Sequence, residues 1–87
     1  MGYFVYVIGA DTNSQLVTYV GYTNNLRKRL NLHNTGKGAK FTRGRRWKVI
    51  YTEKYVTKKE AITREYYIKK NRKFRNLIKE SYKWKKE

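Results

Sequence analysis

Glu65 is the carboxylate in this chain best placed to do chemistry. With 22 Lys and Arg against 6 Asp and Glu, each acid can be weighed singly. Glu65 falls with Ala61 and Ile68 on the apolar face of an expected helix, because spacings of four and three residues share one side. A carboxylate turned inward costs free energy unless it is paired or binds a cation. In a protein of formal charge +16, two arrangements meet that need: a salt bridge to a nearby cation, or a metal ion held against a polyanion.

A second constellation lies upstream. Leu26 and Leu30 define the inward face of an expected helix over roughly residues 24–35. At 100° per residue His33 lies about 20° from Leu26, and Arg29 about 60°. Arg29 therefore borders the sheet, while Arg27 and Lys28 point away. Arg29 and the sole His are one turn apart. Beside an apolar stripe, that pair reads as a site, although either residue alone would read as structural or solvated.

The elements that must position these groups follow from pattern. Residues 3–8 (YFVYVI) and 16–22 (LVTYVGY) are β-branched and aromatic strands. The Gly, Asp, Asn and Ser between them, over residues 9–15, predict a hairpin with a long loop. Gly21 predicts a bulge or a close backbone approach. Thr23 or Asn24 is the expected cap of the first helix and Gly36 its stop. A basic, Gly-rich loop over 36–46 follows, then a strand over 47–52, with Glu53 closing it. Thr57 caps a second helix through about Lys70. A third helix over 72–84 carries Phe74, Leu77, Ile78 and Tyr82 at helical spacing, and the charged tail KWKKE is expected to fray. The order β-β-α-β-α-α predicts an α+β fold: a small three-stranded mixed or antiparallel sheet flanked by helices. Tyr6 and Tyr19 sit in the paired strands, where core packing is the default reading of either.

Eighty-seven residues make one small domain with a modest core. Absence of Cys excludes a disulfide framework and a Cys-based zinc site. No apolar run approaches the roughly 20 residues that span a bilayer, so no membrane partner is expected. MGYFVYVI lacks a basic leader and a cleavage site and reads as a strand. The hexapeptide from Gly2 does not support myristoylation. The location expected is the cytoplasm, in association with the nucleoid. The charge points to nucleic-acid phosphate as partner. Lys37, Lys40, Arg43, Arg45 and Arg46 fall within ten residues of the basic loop, and Phe41 or Trp47 is positioned to stack on a base. Gly36, Gly38 and Gly44 have the plainer reading of turn residues.

The ordered set resembles the GIY-YIG nuclease superfamily, especially its small stand-alone bacterial members. Phe4-Val5-Tyr6 stands where the family has Gly-Ile-Tyr, and Tyr19-Val20-Gly21 where it has Tyr-Ile-Gly. Arg29 follows Gly21 by eight residues and His33 comes four later, the family's spacing for its catalytic Arg and following His. The stretch from His33 to Thr42 resembles the loop of the stand-alone group. Glu60-Ala61, Arg64-Glu65 and Ile68-Lys69 match its metal-binding helix. The first triplet keeps only its Tyr, and Trp47 replaces a frequent Pro.

The resemblance implies phosphodiester hydrolysis with one divalent ion, Mg²⁺ or Mn²⁺, bound by Glu65 and acting as a Lewis acid on the leaving oxygen. It implies Tyr6 as general base, with a pKa lowered from ~10 by neighbouring cations. Arg29 would contact the scissile phosphate, and His33 and Tyr19 would orient water or phosphate. The rival version makes His33 the base. The substrate expected is DNA, read by structure or as single strands in repair or processing, with RNA as the alternative. The competing functions are a nucleic-acid-binding module without catalysis and a small basic ribonucleoprotein component. A monomer or weak homodimer is expected.

Overall fold

The computed structural model describes residues 2–86, with side chains described as far as residue 83. The N-terminal apolar run forms β1 (Tyr3–Thr12). Residues 5–10 are all buried, which an alternating, one-faced strand would not give. β1 is the central strand, paired antiparallel with β2 (Gln15–Thr23) on one side and β3 (Lys48–Tyr55) on the other. The sheet is wholly antiparallel. Three helices complete the order: α1 (Leu26–Asn34), α2 (Lys58–Lys70) and α3 (Arg72–Lys86).

Strand alternation divides the core in two. Val5 and Val7 pack with Val20, Ala61, Ile68 and Ile78 on the face covered by α2 and α3. Tyr6, Ile8 and Ala10 pack with Trp47, Leu26 and Leu30 on the face covered by α1. Covering both faces explains why β1 reads as a continuous apolar run.

Several boundaries differ from the sequence expectation. The hairpin loop is short. Asp11 and Thr12, expected in the turn, pair with Leu16 and Gln15, leaving Asn13 (φ 46°) and Ser14 (φ 70°) as the turn. Two consecutive left-handed residues match the twist of the flanking strands, so the other polar residues accept extended geometry. The bulge expected at Gly21 lies instead on β3: Val7 faces Tyr51 and Ile8 faces Val49, which leaves Ile50 as the extra residue. β3 begins one residue late and continues to Tyr55, so Glu53 lies inside the strand opposite Val5.

α1 is capped by Asn25, not by Thr23 or Asn24. Asn25 Oδ1 accepts the Lys28 N–H at 3.1 Å, and Thr23 Oγ1 accepts the Asn25 N–H at 3.1 Å, fixing the approach. Gly36 (φ 80°) follows the helix as expected. α2 starts where the sequence placed it, with a capping box between Thr57 and Glu60. Asn71 separates α2 from α3, its Oδ1 accepting the Phe74 N–H at 2.9 Å. In α3 Phe74 and Ile78 face the core, whereas Leu77 is 67% exposed. The helix runs on through the tail expected to fray, as far as Lys86, and Glu87 lies outside the described residues.

Asn34 ties the end of α1 to the start of β3. Its Oδ1 accepts the Trp47 N–H at 2.6 Å, and its Nδ2 donates to the Trp47 carbonyl at 3.1 Å. This clamp closes the basic loop at both ends and holds it beside the α1 face of the sheet.

Candidate active site

Tyr6 projects from β1 toward α1, and its ring lies where Gly21 on β2 has no side chain. A Cβ at Gly21 would overlap the Tyr6 hydroxyl. The close approach expected at Gly21 is therefore present, made by the ring of its pairing partner. Tyr6 Oη lies 2.9 Å from His33 Nε2. Both residues are almost wholly buried, at 1% and 0% exposure. The 100° periodicity placed His33 inward, and the inward position is what α1 delivers.

The other His33 nitrogen, Nδ1, lies 2.8 Å from Thr42 Oγ1. Thr42 is fully buried on a 3₁₀ turn, Lys40–Thr42, and its carbonyl accepts the Trp47 Nε1–H at 2.9 Å. Sequence reasoning did not assign Thr42 a role. Its place in a family-like loop was legible, but its contact depends on the loop folding back over the helix.

Arg29 is half-buried beside this pair, and its Nε is buried without a hydrogen-bond partner among the described residues. Tyr19, from β2, is half-buried against His33 with ring centroids 5.2 Å apart. Tyr6, Tyr19, Arg29 and His33 are thus brought together on the α1 face.

Burial pushes the Tyr6 phenol above its usual 10, although the adjacent Arg29 guanidinium pulls the other way. The sequence expectation of a lowered value is therefore reversed in the free protein: desolvation outweighs the cation. The negative charge of Glu65 adds to the upward push, so its carboxylate is electrostatically linked to Tyr6. Burial, then Arg29, holds His33 below its usual 6.5, and the imidazole is neutral.

Glu65 projects from α2, between Ala61 and Ile68, with a side chain 17% exposed. Its Oε2 lies 3.4 Å from Lys69 Nζ, whose side chain is 47% exposed. Such a long, solvent-screened i,i+4 pair is weak and would not block a stronger cation. No group of three or more His, Cys, Asp and Glu is assembled among the described residues. One half-buried carboxylate suits a hard ion that keeps most of its waters and takes further oxygens from a substrate. It does not suit a closed protein cage.

The two sides of the sheet meet along the β2 edge. There a groove is lined by Thr18, Tyr19 and Val20, with Phe41 on one side and Lys69 and Arg75 on the other. Phe41 is 49% exposed and stacks with Tyr19 at 6.0 Å and 21°. In the basic loop Lys37, Lys40, Arg43 and Arg46 are exposed. Arg45 is turned back, with its Nη1 donating to the Phe41 carbonyl at 2.8 Å and its guanidinium 4.8 Å over the Phe41 ring. Trp47 does not fit the base-stacking role considered for it: it is 2% exposed, and its indole N–H is spent on Thr42.

One polar cluster was not foreseen. Glu53 accepts two hydrogen bonds from Arg64, at 2.8 and 2.9 Å, and one each from Tyr51 and Tyr55. Burial would raise its pKa, but these donors win and hold it at about 2. The cluster joins β3 to α2 and is structural. A wider, more apolar groove between Tyr55, Lys59, Arg64 and Tyr67 contains none of the residues gathered around Tyr6.

The chain is similar to known proteins over most of its length. Residues 2–81 match the family model described as the GIY-YIG catalytic domain. A UPF0213 protein of Oceanobacillus iheyensis is 46% identical over 76 residues, covering 86% of this chain and 85% of its own length. The UPF0213 protein YazA of Bacillus subtilis is 49% identical over 69 residues, covering 78% of this chain and 67% of its own. A solution NMR structure of a UPF0213 protein from Bacillus halodurans superposes with a TM-score of 0.50 at 32% identity, covering 93% of this chain and 84% of that one.

Proposed function

We propose a function from one premise: the chain belongs to the GIY-YIG catalytic domain family, which is a nuclease family acting on nucleic acid. The reading is of a divalent-metal-dependent endonuclease that hydrolyses phosphodiester bonds in DNA. The observation that carries it is the convergence of Tyr6, Tyr19, Arg29 and His33 on one face, with the charge of Glu65 felt at Tyr6.

Each group has a task its surroundings suit. Tyr6 takes a proton from the attacking water, and His33, wholly buried behind it, holds the phenol in place. Arg29, half-buried beside Tyr6 with its Nε unpartnered among the described residues, would turn its guanidinium to a phosphate oxygen, where the fork matches the charge that grows in the transition state. A divalent cation in the cleft would favour the phenolate and oppose the burial that now keeps Tyr6 protonated. Tyr19 packs against His33 and supports the stacked Phe41. Glu65 would hold one Mg²⁺ or Mn²⁺, which supplies Lewis-acid stabilisation of the leaving oxygen when bound. The exposed loop cations would grip the strand. Contacts to phosphate carry no sequence information, so recognition by DNA shape or by single strands, as in repair or processing, is the reading we favour.

The test is cleavage of labelled single-stranded, duplex, flap and forked DNA with Mg²⁺, Mn²⁺ or EDTA, by wild type and Glu65→Ala. Metal-dependent cutting lost in the variant is expected. Binding without cutting across the whole panel would favour a non-catalytic binding module, and RNA would be the next ligand to try.

A further inference from the structure

Tyr6 and His33 share one buried hydrogen bond, and its direction decides what each can do. The atoms on the far side of His33 fix that direction. Thr42 Oγ1 lies 2.8 Å from the Ala39 carbonyl oxygen and 2.8 Å from His33 Nδ1. A carbonyl has no proton to give, so the contact with Ala39 needs the Thr42 hydrogen. A hydroxyl has only one. The contact with His33 must therefore be supplied by the ring, and Nδ1 carries a proton. Burial and the neighbouring Arg29 keep the imidazole neutral, so Nε2 has a bare lone pair. Tyr6 Oη, 2.9 Å away, then donates to Nε2 and keeps only lone pairs for any other partner.

We infer that Thr42 is a positioning residue that locks the Nδ1–H tautomer of His33 and so aims the Tyr6 hydrogen into the ring. Its catalytic consequence rests on the nuclease reading above, but the tautomer does not. Thr42 is itself held from two further sides. Its N–H donates to the Ala39 carbonyl at 3.1 Å, and its own carbonyl takes the Trp47 indole hydrogen at 2.9 Å. Gly38 lets the loop close this tightly, since a Cβ there would overlap His33 Nδ1.

The lock gives the proton a defined route. Tyr6 Oη takes a proton from the attacking water while its own hydrogen passes to His33 Nε2. The water oxygen bonds to phosphorus, and one phosphodiester P–O bond breaks. The departing oxygen leaves with the electron pair and takes a proton from solvent. His33 is left as an imidazolium, its Nδ1–H still on Thr42, and returns the extra proton through Tyr6. With the opposite tautomer Nε2–H would donate to Tyr6, and the phenol would have no acceptor for its hydrogen.

His33 is the sole histidine, so a long-range ¹H–¹⁵N correlation spectrum reports its tautomer without assignment. The wild type is expected to show Nδ1–H. Thr42→Ser keeps the hydroxyl and should keep both the tautomer and, within about twofold, the cleavage rate. Thr42→Val should shift the ring toward Nε2–H and slow cleavage about 100-fold, with nucleic-acid affinity unchanged. An Nε2–H wild type overturns the inference, as does a Thr42→Val protein that retains Nδ1–H, whatever its activity. If Thr42→Val fails to fold, the wild-type and Thr42→Ser spectra decide. An Nδ1–H ring in a wild type that cuts nothing would leave the lock standing and remove the nuclease reading.

Discussion

Tyr6 shows how far a residue's neighbours can reverse an expectation built on residue types. Cations abound in this sequence, and a tyrosine among them should ionise early. Yet the phenol is 1% exposed, and burial raises its pKa against the pull of Arg29. The same burial makes Gly21 indispensable. A methyl there would meet the hydroxyl and ring of a side chain that is hydrogen-bonded and cannot swing away. Gly21→Ala should cost about 1–3 kcal/mol in urea unfolding and perturb the near-ultraviolet dichroism of Tyr6. Gly36→Ala is the contrast: its added Cβ meets nothing within 4 Å, and only the left-handed φ of 80° is strained. That change should cost about 1 kcal/mol and leave the tyrosine signal alone. Equal perturbation of the tyrosine signal by both would refute the steric account. At this scale Arg29, His33 and Glu65 were legible because helical period assigns faces. Thr42 was not, because its partner lies nine residues away across a loop.

Among the elements, the join between β3 and α2 carries the clearest pH dependence. Glu53 was read as a strand-closing acid, but β3 runs past it and brings it under Arg64. Its pKa falls from 4.5 in the unfolded chain to about 2 in the fold. A depressed carboxylate stabilises above its unfolded pKa and loses that contribution as pH falls through the folded one. The loss therefore runs from about pH 4.5 down to about pH 2. With Arg64 a third exposed and partly screened, the contribution is on the order of 2 kcal/mol. Urea unfolding at a series of pH values should show that decline in wild type and a shallower one in Glu53→Gln. Parallel declines would mean that general charge repulsion, not this carboxylate, governs the acid limb. The element order and the α2 cap were readable from periodicity and the Thr57–Glu60 spacing. The hairpin turn was overestimated because four turn-forming residues within seven flag a region, while backbone twist selects the two that turn.

The whole molecule carries +16, and four exposed cations of the basic loop, Lys37, Lys40, Arg43 and Arg46, lie on one segment clamped by Asn34. If those four neutralise phosphates, log affinity for duplex DNA should fall against log salt with a slope of about −4 from the loop alone. Replacing all four by Ala should flatten the measured slope by about that amount; an unchanged slope would exclude the loop as the grip. No helix among the described residues is long and apolar enough to cross a membrane. The sequence by itself determined the basic character, the strands and helices, and which of Arg29, His33 and Glu65 face inward, because composition and period are properties of the chain alone. The tertiary structure alone decided that Tyr6 is desolvated rather than poised, that Trp47 is core rather than a stacking platform, and that Thr42 closes on His33. Each of those depends on which atoms lie across the gap between elements, and no spacing along the chain encodes such contacts.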